Sequence, residues 1–216
     1  MRATDLSLAA RCRYSNHIAN PREQGASLVV ALMMLVVTML LGISAAQIAL
    51  QGEKISRNDR DRQMALQAAE AALMDAELDI ESSPDAGKSR SALFASDNIL
   101  AFPEAGCGSG LGSTNLGLCA VAAETATPVW QSVDFLNDSS NASSVPYGRF
   151  TGYVFPSGKG ALPAKLPRYI IEPMMFSYKG HGAEKPEVFF RVTAIGFGMR
   201  ETTQVVLQTF YRKAGK

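Results

Sequence analysis

The hydrophobic pattern divides the chain into an apolar run, a helical stretch, a loop-rich middle and a strand-like end. No charged residue falls between Gln24 and Gly52, and Leu28 to Leu50 is almost wholly apolar. About 20 such residues at 1.5 Å each span a bilayer's hydrocarbon, so residues 26–52 are expected to form a transmembrane half-helix. The apolar run is longer than the roughly 7–15 residues of a secretory signal's hydrophobic region, here one cut after Ser44-Ala45-Ala46. No helix breaker separates it from the charged stretch that begins at Glu53.

From Glu53 the pattern becomes amphipathic, and no proline occurs between Pro21 and Pro84. Leu66, Ala69, Leu73, Ala76 and Ile80 follow alternating three- and four-residue steps and predict a packing stripe. Arg60, Arg62, Asp75 and Glu77 lie off that stripe. Asp59, Asp61, Asp75, Glu77 and Asp79, interspersed with arginine, read as a solvated or subunit-facing surface. Ala68, Ala69, Ala71 and Ala72 leave part of the helix smooth enough for a sheet or another helix to approach closely. Ser82-Ser83-Pro84 ends it, because proline disfavours helical geometry in the preceding residue. The amphipathic half is thus 53–83, and a helix from Ala26 to Glu81 would be about 84 Å long, more than one domain can bury.

Residues 84–216 read as an α+β domain. Its first part, 84–167, is rich in Gly, Pro and Ser, with loops at Gly106–Gly112 and Asn137–Ser144 and one short strand expected over Val129–Phe135. The second part, 168–212, reads as antiparallel strands. Arg168–Glu172 opens it. In Val188–Ile195, the residues Val188, Phe190, Val192 and Ala194 face one way and Phe189, Arg191, Thr193 and Ile195 the other. Gly196 and Gly198 mark a turn, and Thr202–Arg212 returns with Val205, Leu207, Thr209 and Tyr211 on one face. Both faces carry apolar residues, so the helix is expected on one and loops on the other.

Composition narrows the functional classes. With 47% apolar and 19% charged residues among 216, a packed core is expected. Of 21 basic and 20 acidic residues, four and two fall in residues 1–25, leaving 17 and 18 in the remainder. A basic leader before an apolar run stays cytoplasmic by the positive-inside tendency, and a near-neutral body has no electrostatic footprint for nucleic acid. Cys12 lies in the leader, so Cys107 and Cys119 form an even pair suited to a disulfide in an oxidising compartment.

No catalytic constellation emerges. The Gly106–Gly112 run matches neither a dinucleotide loop nor a phosphate loop, and no Ser sits in G-x-S-x-G. His17 and His181, the two histidines, have no partner for a triad or a metal site. Asp134 and Asp138 lack calcium-loop spacing. No cofactor or metal is expected.

The stretch from Arg22 to Ile80 resembles a type IV prepilin N-terminus. Gln24-Gly25-Ala26-Ser27-Leu28-Val29-Val30-Ala31-Leu32 and Asp61-Arg62-Gln63-Met64-Ala65-Leu66-Gln67-Ala68-Ala69-Glu70-Ala71-Ala72-Leu73 are similar to the PilX family of minor pilins. So are the closing strands Pro167–Glu172 and Phe190–Gly196. The resemblance implies a pilin-like fold, with a long N-terminal helix on a small antiparallel sheet. It also implies a cytoplasmic leader, 1–25, cut by a prepilin peptidase at the Gly25–Ala26 bond, with Ala26 as the methylated mature terminus. The subunit would be held in the inner membrane with its N-terminus cytoplasmic and its domain periplasmic, then pass into the pilus. Its implied partners are other minor pilins, the major pilin and a large PilY-type tip adhesin. Its implied role is priming assembly in support of twitching motility and adhesion, with no enzymatic activity. A minor pseudopilin of type II secretion is the alternative. Two departures stand out. The leader is longer than is common in this group, and Val30 occupies the fifth position after the cut, where most pilins have Glu. That absence is also a mark of the tip pseudopilin of type II secretion, and it points to the filament tip.

Overall fold

The computed structural model describes residues 26–95, 99–121, 127–176 and 187–214. The expected leader, with Gly25, Cys12 and His17, and also His181, lies outside the described residues. The chain divides into two units between Gly52 and Glu53, where apolar sequence gives way to charged sequence.

Helix α1 runs Ala26–Glu81, 56 residues, and stops three residues before Pro84. Every residue from 26 to 60 is exposed. Over its second half one face is buried, comprising Asp61, Ala65, Ala68, Ala69, Ala72, Asp75, Ala76, Asp79 and Ile80. Ala69, Ala76 and Ile80 of the expected stripe lie there, Leu73 is half-buried, and Leu66 faces solvent. The buried arc is rotated from that stripe by somewhat less than one residue's turn, about 100°. Backbone proximity explains the rotation. Strand β3 approaches so closely at Gly196 that a Cβ there would overlap the Ala65 carbonyl oxygen and the Ala69 amide nitrogen. Alanine fits under such a strand, whereas leucine is displaced to the flank.

The sheet holds β1 (Val145–Pro146), β2 (Arg168–Phe176), β3 (Glu187–Phe197) and β4 (Gln204–Tyr211), antiparallel throughout in the order β1-β2-β3-β4. Phe190, Val192 and Ala194 of β3 join Tyr169 and Ile171 of β2 against Ala72, Ala76 and Ile80 of the helix. On the opposite face Ile170, Ile195 and Phe197 pack with Val129, Phe135 and Cys119 from the middle region. The sheet is therefore covered by helix on one side and by loops on the other. Gly196 lies within β3, not in the turn, which runs from Gly198 to Thr203 and is closed by the Gly198 N–H donating to the Thr203 carbonyl.

The middle region departs from expectation at Val129–Phe135. Val129–Ser132 forms a short helical turn, α2, not a strand. Pro128 precedes it with φ −52°, suited to helix entry, and the Ser132 hydroxyl donates to the Val129 carbonyl. Cys107 and Cys119 are joined by a disulfide across a two-rung ribbon, and the Cys119 N–H donates to Ile171, tying that ribbon to β2.

Candidate functional site

Two surfaces of α1 have distinct chemistry. Along residues 26–50 the side chains of Leu, Val, Met and Ile stand exposed, Val30 among them at 52%. This half is long and apolar enough to cross a membrane. Each such side chain left in water forgoes about 1.5–3 kcal/mol of burial, so the surface is matched to lipid or to other apolar helices. It contains no carboxylate, and Val30 continues the apolar surface without interruption.

The second surface is the buried arc, and its polar members organise the loops. Asp61, Asp75 and Asp79 are at most 2% exposed, contrary to the solvated face expected for them. Each carboxylate accepts donors from a segment distant in sequence. Asp61 accepts the Met199 N–H at 2.5 Å, the Thr203 hydroxyl at 2.6 Å and the Arg200 Nε–H at 3.1 Å, fixing the β3–β4 turn. Asp75 accepts the Gly148 N–H at 2.8 Å and the Thr151 hydroxyl. Gly148 has φ +75°, and a Cβ there would strike the Tyr153 backbone, so this turn demands glycine. Asp79 accepts Arg90 through Nε and Nη2 at 2.6–3.0 Å, and the Tyr169 hydroxyl at 2.9 Å. The rest of the Arg90 fork donates to the carbonyls of Thr114 and Leu116, and the Phe150 ring lies 3.7 Å from its central carbon. One side chain thus links the helix, the disulfide ribbon and the Phe150 turn.

The environments of these acids differ. For Asp61, burial works to raise the carboxyl's pKa, but the donors Thr203, Arg200 and Met199 outweigh it and hold the group below its ordinary value. For Asp75 burial prevails over its two donors, and nearby Asp79 adds repulsion, so its pKa is raised. Burial, reinforced by Asp79, pushes the Tyr169 phenol well above its ordinary value. These groups act as fasteners. They are enclosed and saturated with partners, and among the described residues no buried side-chain nitrogen or oxygen lacks one.

Arginines do the same work elsewhere in the middle region. Arg168 donates to the Asn137 carbonyl at 2.7 Å and meets Asp138 at 3.0 Å, while Arg149 donates to the Leu111 carbonyl at 2.8 Å. On the sheet face away from the helix, Arg191 grips the fully buried Glu172 through two bonds at 2.7 and 2.9 Å. Among the described residues no three potential metal ligands converge.

The expected site residues therefore fall apart spatially. Ala26 and Val30 belong to the exposed apolar half, Ala69, Leu73, Ala76 and Ile80 to the helix–sheet seam, and Cys107 and Cys119 to the ribbon beyond it. The aspartates escape a sequence reading that equates charge with exposure. Yet Asp61, Ala65, Ala68, Ala72, Asp75 and Asp79 follow steps of four and three, a second stripe that carries the information.

Two protein-family models match the chain. One, described as PilX N-terminal, covers residues 24–73, and the other, described as Type IV pilus assembly protein PilX C-term, covers residues 115–213. No curated protein and no solved structure matches it.

Proposed function

Since the chain belongs to the PilX family, minor pilins of type IV pilus assembly, we propose that it primes polymerisation of the major pilin and remains in the tip complex. The observation that carries the tip assignment is Val30, in an apolar surface without a carboxylate. A carboxylate at membrane depth costs about 3 kcal/mol on insertion scales and needs a partner. In pilins that place Glu at this position, the partner is the terminal amine of the subunit above in the growing filament. A subunit with Val30 cannot be recruited beneath another in that way, and a subunit at the tip has none above it.

In this reading residues 1–25 are the leader, removed by prepilin peptidase at Gly25–Ala26, and residues 26–52 anchor the subunit in the inner membrane before assembly. Residues 53–83 carry the domain 84–216 on the periplasmic side. That domain, pinned by the Asp61, Asp75 and Asp79 fasteners, presents loops to other minor pilins, the major pilin and a PilY-type adhesin. Twitching motility and adhesion depend on it through the pilus.

Immunogold labelling tests the tip assignment. Label confined to filament ends supports it, and label spread along the shaft in wild-type cells overturns it. Mass spectrometry of the mature terminus tests the processing. A methylated Ala26 is expected, and a terminus at Gln47 would sink the pilin reading. A deletion strain separates the type II secretion alternative, which would lose exoprotein export rather than twitching.

A further inference from the structure

The two edges of the sheet are finished differently. Alternate residues of an antiparallel strand turn their backbone groups to the same side. On the outer side of β2 three such positions are covered or closed in turn. Tyr169 meets β1, which is only two residues long and ends in Pro146. Ile171 exchanges bonds with the disulfide ribbon, its N–H donating to the Gly117 carbonyl and its carbonyl accepting the Cys119 N–H. Pro173, the next in the series, has no N–H to offer.

On the β4 side nothing closes the edge. Gln204–Tyr211 carries no charge and no proline, and it pairs with β3 over all eight positions without a bulge. Natural sheets blunt their edges with such devices, because an open row of N–H and C=O groups is a template for another strand. The Gly198–Thr203 bond sets the phase of the ladder. Val205, Leu207, Thr209 and Tyr211 therefore bond to β3, while Gln204, Val206, Gln208 and Phe210 point their backbone groups away from it. Among the described residues no strand and no backbone hydrogen bond meets that outward row. Its side chains lie on the sheet face away from the helix. There Val206 is 42% and Phe210 59% exposed, four residues apart with Gln208 midway.

We infer that the β4 edge is the docking site for an extended segment of a different polypeptide, which adds a further strand to the sheet by main-chain hydrogen bonds. The strand itself sets the chemistry of that segment. It is uncharged over about seven residues, since β4 offers no charge to pair with, and it is apolar at two positions four apart that meet Val206 and Phe210. A polar side chain midway between them lies opposite Gln208. A second copy of this chain is not the occupant. Two antiparallel β4 strands would be related by a two-fold axis normal to the sheet, which reverses the part of α1 lying on it. The two chains would then enter their domains at Glu53 from opposite sides, whereas subunits held in one membrane enter from the same side. That exclusion rests on the membrane anchoring proposed above; the open edge does not.

The test uses the full chain in a neutral detergent and a labelled probe peptide, Thr-Val-Thr-Ser-Thr-Val-Thr, N-methylated on its threonines so that only the valine and serine edge can pair. The control is the same sequence methylated on the valines and serine instead. Wild type is expected to bind the probe and not the control. Hydrogen exchange should slow on binding at Val206, Gln208 and Phe210 but not at Leu207 and Thr209, which already pair with β3. Gln208→Pro removes one outward N–H without touching the β3 ladder, and Phe210→Lys puts a charge at an exposed edge position. Each should weaken binding about tenfold, and Phe210→Lys should keep the wild-type unfolding midpoint. No binding, equal binding of probe and control, or undiminished binding by either variant overturns the site. In cells, Phe210→benzoylphenylalanine is expected to cross-link to a different polypeptide, within a segment of the stated pattern. A cross-link to another copy of this chain, to a charged or helical segment, or to nothing overturns the assignment. The mature terminus is read independently by mass spectrometry, so a failed edge and a failed pilin reading are told apart.

Discussion

Arg90 and Asp79 form an ion pair at 2.6 Å with both side chains at most 1% exposed, and this pair joins the helix to the loop-rich half of the domain. Removing one member of a buried pair strands the other, at a cost of about 3–5 kcal/mol. Asp79→Asn and Arg90→Met are each expected to destabilise by that order in urea unfolding of the detergent-solubilised chain. The double variant should cost less than the two singles together, because no uncompensated charge remains. Strict additivity would show that the two side chains act independently.

Asp61 and Asp75 are expected to bend the pH dependence of stability in opposite directions. The Asp61 carboxyl is lowered in the fold, so its contribution is present above the unfolded-state pKa and is lost as pH falls through the folded value. Asp75 is raised, so its contribution is present below the unfolded-state pKa and fades as pH rises through the folded value. Each slope is at most about 1.4 kcal/mol per pH unit. Asp61→Asn should flatten the acid limb of a stability–pH curve. Asp75→Asn should steepen the rise of stability with pH above the ordinary carboxylate range. Identical curves for the two variants would contradict the opposite environments of the two carboxyls.

What can be read from the sequence depends on whether the cause is local. Pro84 stops the helix within the chain's own geometry, so α1 ends at Glu81 as expected. Strands β3 and β4 are likewise readable from alternation, whereas β2, expected over Arg168–Glu172, is buried on both faces there and runs on through Pro173 to Phe176. Of the expected stripe only Leu66 turns to solvent, because side-chain size is a poor mark of burial where the backbone contact at Gly196 selects alanine. The partners of the aspartates are beyond reach, since Gly148, Arg90 and Tyr169 come to α1 only through the folded path of the middle region. Val129–Ser132 is a helical turn because Pro128 sets its entry, a local signal that outweighs the β-branched and aromatic composition of the segment.

Gly196 offers a direct measure of the helix–sheet seam. Alanine there would meet helix backbone, which cannot rotate away as a side chain can. Gly196→Ala is expected to cost about 1–3 kcal/mol or more, the range for overpacking a tight core. Gly112→Ala, with open space around it, should leave the unfolding midpoint unchanged. Equal effects at the two sites would mean that the helix stands off from β3.

The Cys107–Cys119 bond closes a ribbon whose amides also pair, the Gly108 N–H with Leu118 and the Ala120 N–H with Gly106, both at 2.8 Å. With the bonded positions 12 apart in sequence, chain entropy assigns the bond about 3 kcal/mol. Cys107→Ser/Cys119→Ser should therefore lower stability by that order, while the backbone pairing and the Cys119 link to Ile171 keep the ribbon in place. Hydrogen exchange separates the two contributions. Amides of Gly108 and Ala120 should lose protection in step with global stability and not beyond it. Selective loss of protection in the ribbon alone would show that the disulfide, rather than the ladder and the Arg90 contacts, holds this segment against the sheet.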